Sequence, residues 1–156
     1  MKKIADELQQ IVDEYANKIE SIPENAFSAK PTPNKWSKKE VLGHLIDSAH
    51  NNLRRFIAGQ YETLPPHIIY DQDFWVEANG YTISKKSDVI MLWRLMNERI
   101  CQVLKTMPEQ NYSKTCNTGK GSDQLHSLEF LAGDYVKHLK HHINQIIPDS
   151  FDVIYK

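Results

Sequence analysis

The stretch Trp36-Ser37-Lys38-Lys39-Glu40-Val41-Leu42-Gly43-His44-Leu45 decides how this chain folds. A serine followed three residues later by a glutamate is a capping box. The hydroxyl accepts the third helical N–H, and the carboxylate reaches back to the serine's own N–H. Trp36 before the cap and Val41 after it are spaced for a hydrophobic staple. Val41, Leu42, Leu45, Ala49, Leu53 and Phe56 then recur at helical spacing. The pattern predicts a helix from the Ser37 cap to about Ala58, with Gly59 as its C-cap.

Outward from this segment, three more stretches carry the same period. Toward the N-terminus, Ile4, Leu8, Ile11, Val12, Tyr15 and Ile19 predict a helix from Lys2 to Ser21, stopped by Pro23. The following residues, through Pro31 and Pro33 to Lys35, read as loop. Toward the C-terminus, Val89, Ile90, Trp93, Met96, Ile100 and Leu104 predict a third helix, beginning at Ser84 or Ser87 and ending before Pro108. Asn111 to Gly121 is polar and reads as loop. A fourth helix is expected from Ser122 or Ser127 to about Ile147, ended by Pro148. The expectation is an all-α four-helix bundle, with residues 1–156 as a single domain.

The link from Gly59 to Ile83 is about 25 residues long, whereas neighbouring bundle helices are joined by roughly 2–8. A connection of that length can cross the bundle and let helices two and three run parallel. Tyr70, Phe74, Trp75 and Tyr81 should pin it to the bundle, with a short helix near Asp71–Ala78.

Composition sets the outer limits. A chain of 156 residues buries about 70% of its unfolded surface on folding, enough for a core without disulfides. Net charge is −1, so no basic field argues for nucleic acid. No window approaches the roughly 18 apolar residues of a membrane span. The charged N-terminus, Met1-Lys2-Lys3-Ile4-Ala5-Asp6-Glu7, has no signal-peptide pattern. Two cysteines suit a reducing cytoplasm, Cys101 in the core of helix three and Cys116 as an exposed loop thiol.

Three of the seven histidines fall in Tyr135-Val136-Lys137-His138-Leu139-Lys140-His141-His142-Ile143. On a helix, His138 and His142 are about 40° apart, one above the other. His142 lies within the stripe of Leu128, Leu131, Tyr135, Leu139 and Ile146, and His138 lies on its flank, while His141 falls on the polar side with Asp134 and Lys137. An i, i+4 pair matches the bite of one metal ion, although buried histidines that only hydrogen-bond fit the spacing equally well. His44, at the edge of the apolar face of helix two, is the candidate third ligand. Ser48, Asn51, Asn52 and Arg55 continue its strip. His50, His67, His126 and His141 are read as outside the site.

Lys35 to Leu45, together with Asp134 to Ile146, resembles the DinB/YfiT-like family of metal-binding four-helix bundles, in order and separation, over nearly the whole chain. The resemblance implies an up-down-down-up helix order and a metal triad on His44, His138 and His142. It also implies chemistry with a low-molecular-weight thiol, since some members are transferases or isomerases that use one.

Three neutral imidazoles leave a bound divalent ion, expected to be zinc or nickel, its full charge and an open position, the arrangement of catalytic zinc. Such an ion can supply hydroxide for hydrolysis at neutral pH, or bind a thiol and take its proton for group transfer. The resemblance favours thiol transfer, with Arg55 as a partner for the cofactor's carboxylate; a solvated arginine is the plainer reading. Phe74 and Trp75 could line a pocket or simply pack. A metal-stabilised binding or stress-response protein without turnover is the alternative. The expected partner is a small-molecule substrate, with no nucleic acid and no membrane; a homodimer through helix one or three is also open.

Overall fold

The computed structural model describes residues 1–155. Four long helices, α1 (Lys2–Glu20), α3 (Lys38–Tyr61), α5 (Lys86–Thr106) and α6 (Leu128–Ile146), pack together, with short helices α2 (Glu24–Ser28) and α4 (Gln72–Asn79) in the connections. Strands β1 (Thr115–Asn117) and β2 (Leu125–Ser127) form a small antiparallel ribbon before α6. The chain is mostly helical.

Each long helix buries one stripe. Leu8 and Val12 of α1, Leu42 and Leu45 of α3, Trp93 and Ile100 of α5, and Leu128 and Leu139 of α6 are completely buried in a common core. Each such side chain stabilises the fold by about 1.5–3 kcal/mol of transfer free energy. α5 packs on both α1 and α3, and α6 lies against α3 and α1. Along the α1–α5 seam, Lys105 meets Asp6 at 3.0 Å, Arg94 meets Asp13 at 3.7 Å and Lys86 meets Glu20 at 4.0 Å. One polar pair in the middle is satisfied, whereas the buried Trp93 Nε1 has no partner among the described residues. The Tyr135 hydroxyl donates to Asn97 Oδ1 at 2.6 Å, and Asn97 Nδ2 donates to the Trp93 carbonyl at 2.8 Å.

The capping box forms as expected. Glu40 N donates to Ser37 Oγ at 3.2 Å, and Ser37 N donates to Glu40 Oε2 at 2.8 Å. Gly59, however, is not a C-cap, because α3 continues to Tyr61 and ends on extended Glu62. A Cβ at Gly59 would lie 2.7 Å from Leu128 Cδ2 and 3.0 Å from Cys116 Sγ. The glycine is there for close packing, which a local turn signal cannot distinguish from a cap. Neither Ser84 nor Ser87 caps α5; that position is Lys85. Ser127, not Ser122, caps α6, its Oγ accepting from Phe130 N at 3.1 Å.

Two segments read as loop contain structure. α2 sits in the stretch before Lys35 and anchors it with the fully buried Phe27. The polar stretch after α5 holds β1, whose three residues are too few to show an alternating pattern. Cys116 on β1 is therefore not an exposed thiol. It is completely buried beneath α3, and burial pushes its pKa up to about 11. Cys101 is in the core of α5, as expected.

The connection between α3 and α5 is pinned to the bundle. Asp71 Oδ1 caps α4 by accepting from Asp73 N and Phe74 N, each at 3.1 Å. Gly80 takes the left-handed turn that follows, with φ +61°. Tyr81 then lies across Gly43, where an added Cβ would come within 2.1–2.6 Å of the ring. The Tyr81 hydroxyl donates to Asp47 Oδ1 at 2.7 Å. Phe74 remains 66% exposed, so the anchoring falls to Ile68, Val76 and Tyr81. Among the described residues, no helix is long and apolar enough to cross a membrane.

Candidate metal centre

α3 and α6 bring three imidazoles to one point. His44 is fully buried on α3, while His138 and His142 are half-buried on α6. Each offers a ring nitrogen within 4.8 Å of the other two. His44 Nε2 and His138 Nε2 are 3.1 Å apart, and the His142 ring centre is 4.6 Å from that of His44 and 4.4 Å from that of His138.

The donor set fits a metal ion. Tetrahedral zinc with Zn–N of about 2.0–2.1 Å places its ligand nitrogens about 3.3–3.4 Å apart, close to the 3.1 Å found. A proton shared between two of these nitrogens would leave the third unused. Burial, followed by the charge of His142, lowers the His44 pKa to about 3. His138 is held well below its ordinary value by burial, then by His142 and His44. His142 is lowered by burial, and its bond to Gln145 opposes that shift. All three are thus neutral at pH 7, with lone pairs available, as metal ligation requires.

The groups behind the ligands orient the rings. The Nδ1 of His142 lies 3.0 Å from Gln145 Oε1, which can only accept, so Nδ1 carries the proton and Nε2 is left for the centre. The Nδ1 of His138 lies 3.4 Å from Ser48 Oγ. The Nδ1 of His44 is buried without a hydrogen-bond partner among the described residues, and the Trp36 ring centre stands 5.1 Å from its own. The partners found behind the rings are neutral, so they leave an ion's positive charge undiminished.

The rest of the predicted strip is more structural. Asn51 Nδ2 and Asn52 Nδ2 turn back onto the α3 backbone, donating to the Asp47 and Ser48 carbonyls at 2.9 Å each. Arg55 is half-buried. Its Nε and Nη2 donate to the Ile68 carbonyl at 3.2 and 2.7 Å, and its Nη1 donates to Asn52 Oδ1 at 3.3 Å. His50 rests beside Trp75, His67 Nε2 meets the Gly119 carbonyl at 2.8 Å, and His126 stacks on Phe130.

Sequence reasoning missed three neighbours. Gln145 lies one turn beyond His142 and could have been found from the wheel. Asp47, one turn beyond His44, is a buried carboxylate whose Oδ2 has no partner among the described residues. Tyr155 gave no signal, because its position depends on the path of the tail. After Asp149 (φ +59°), the segment doubles back, with Phe151 N and O both bonded to the Asn144 side chain at 2.9 Å. This leaves the Tyr155 ring 5.3 Å from that of His138, with its hydroxyl donating to Asp134 Oδ2 at 3.1 Å.

The chain is similar to known proteins over most of its length. It is 26% identical over 149 residues to YfiT of Bacillus subtilis (strain 168), named as a proposed metal-dependent hydrolase, covering 93% of this chain and 83% of that one. A protein of Bacillus mycoides (strain KBAB4) with the same kind of name is 25% identical over 149 residues, covering 88% and 84%. In three dimensions the chain matches the structure of YfiT, described as having an unusual four-helix bundle topology. The TM-score is 0.82 at 24% identity, over 92% of this chain and 82% of that one. It also matches a mycothiol-dependent maleylpyruvate isomerase in fold, with TM-score 0.68 at 7% identity, over 97% of this chain and 61% of that one. The family model of the DinB superfamily matches residues 7–146, and this chain belongs to that superfamily.

Proposed function

We propose that His44, His138 and His142 bind one divalent metal ion, zinc or nickel, and that the protein uses it to hydrolyse a small molecule. The observation that carries this reading is the convergence of three neutral imidazole nitrogens within 4.8 Å, contributed by two helices. The names of the Bacillus relatives support the reaction class. A bound ion would lower the pKa of a water to about 7. Gln145 and Ser48 hold the ligand rings in place, and Trp36 shields the buried side of His44.

The proposal includes an up-down-down-up helix order. In its support, Asp6 pairs with Lys105 and Glu20 with Lys86, Ser48 faces His138 while Gly59 faces Leu128, and Lys39 Nζ reaches the Ser84 carbonyl. A homodimer through the exposed Met91, Leu92 and Leu95 of α5 is the assembly we propose.

A second reading, transfer of a low-molecular-weight thiol, is favoured by the neutral partners behind the imidazoles. A thiol bound to the ion loses its proton without a protein base, and Arg55 would face the cofactor's carboxylate. Elemental analysis of the purified protein beside His142→Ala tests the centre. We expect one equivalent of metal in the first and a large loss in the second; equal content in both refutes the assignment. Zinc-loaded protein is then assayed against ester and amide panels, and against a generic electrophile with several thiols. Turnover of neither kind would favour the metal-stabilised binding protein over an enzyme.

A further inference from the structure

Two grooves flank Trp36. The larger, about 520 Å³, runs between the Lys30–Trp36 segment and α4. It carries both signs of charge, with Asp73 and Glu77 on one bank, and its Lys30 is already neutralised by Glu40 at 2.8 Å. The smaller, about 400 Å³, opens at the end of the α3–α6 pair. That volume suits a small ligand, and no acidic side chain lines it.

The second groove is connected to the triad by the side chains that back it. Trp36 forms one wall and stands against the His44 ring; Gln145 forms another and holds His142 Nδ1. Val41, one turn before His44, lines it too, and Ala29 and Pro31 make an apolar bank. On the rim are Lys35 and Lys38. Neither ammonium has an acidic partner among the described residues, whereas the nearby Lys30 and Lys39 are paired with Glu40 and Glu24. Two free cations beside an apolar slot, with no acid to answer them, favour a ligand that brings the negative charge itself.

We propose that this groove binds a small molecule bearing an anionic group, carboxylate or phosphate, on an apolar body, against the outer side of the His44 and His142 ligands. Lys35 and Lys38 hold the anion, and Trp36, Val41 and Pro31 pack the body, while Trp36 and Gln145 stand between the molecule and the triad. The assignment goes beyond the metal-centre reading and gives the class of a ligand bound behind the triad.

The test uses 4-fluorobenzoate and 4-fluorobenzyl alcohol as probes, followed by 19F NMR on zinc-loaded and zinc-free protein. The benzoate should bind better than the alcohol. A Lys35→Gln/Lys38→Gln variant should bind it about three- to tenfold more weakly in both forms, with metal content unchanged, as charge contacts from one exposed and one half-buried lysine allow. Raising the salt should erase the difference between wild type and variant. Benzoate binding that is absent, or equal in wild type and variant, overturns the proposal. Normal zinc content with lysine-independent binding sinks the groove alone. Lysine-dependent binding in a protein that takes up no zinc sinks the metal centre and leaves the groove standing.

Discussion

Asp47→Asn probes how α3 holds the connection that crosses it, close to the triad. Asp47 is 1% exposed. Its Oδ1 accepts from the Tyr81 hydroxyl at 2.7 Å and from Asn79 Nδ2 at 2.9 Å, and its Oδ2 has no partner among the described residues. Burial raises the carboxyl from its ordinary 3.8 to about 6, against the two hydrogen bonds. The folded protein therefore holds this proton more tightly than the unfolded chain does. The resulting stability is complete below about pH 4 and is lost as pH rises through about 6. A shift of about two units corresponds to about 3 kcal/mol. Asparagine keeps the Oδ1 acceptor and carries no charge, while its unmatched Nδ2 costs about 1–3 kcal/mol at every pH. Urea unfolding of both proteins, with chelator, at steps from pH 4 to 7.5 gives the difference curve, in which the histidine titrations cancel. It should move by about 3 kcal/mol in favour of the variant as pH rises. A curve flat to within about 0.5 kcal/mol would refute the account of a carboxylate ionised against its surroundings.

Three further outcomes can be checked on the same purified protein. Gly43→Ala drives a Cβ into the Tyr81 ring and should cost about 1–3 kcal/mol in urea unfolding; in a Tyr81→Ala background most of that cost should vanish. Tyr135→Phe strands Asn97 Oδ1 in the core and should lower stability by about 1–3 kcal/mol, read from the urea midpoint. Ser37→Ala removes the cap of α3 and should cost about 1 kcal/mol, with faster amide exchange in that helix's first turn and little change elsewhere.

The helices and the three imidazoles were legible because their determinants are local. A capping box and a repeat of three and four residues locate α3, and a spacing of four places His138 above His142 whatever else the chain does. His44 stood out as a third candidate from its place at the edge of an apolar helical face, and the resemblance strengthened its pairing with the other two, since no local rule joins residues so far apart in sequence. The misreadings share the opposite character. Gly59 looks like a cap because glycine favours turns, but its neighbours Leu128 and Cys116 come from other parts of the chain. β1 and β2 gain meaning only when paired, and Cys116 is buried only because that pair lies under α3. Arg55 reads as a solvated cation until the connection delivers the Ile68 carbonyl to it.

His44 and His138 are separated by 94 residues. An ion gripped by both would fasten two distant stretches of chain into one ring, a constraint that an unfolded polypeptide can satisfy only at a considerable entropic cost. The two α6 histidines alone would make a weak hold, so capture must wait until the α3 and α6 surfaces have docked. Prising those two helices apart should release the ion, and a metal-sensitive dye would then report the integrity of the fold.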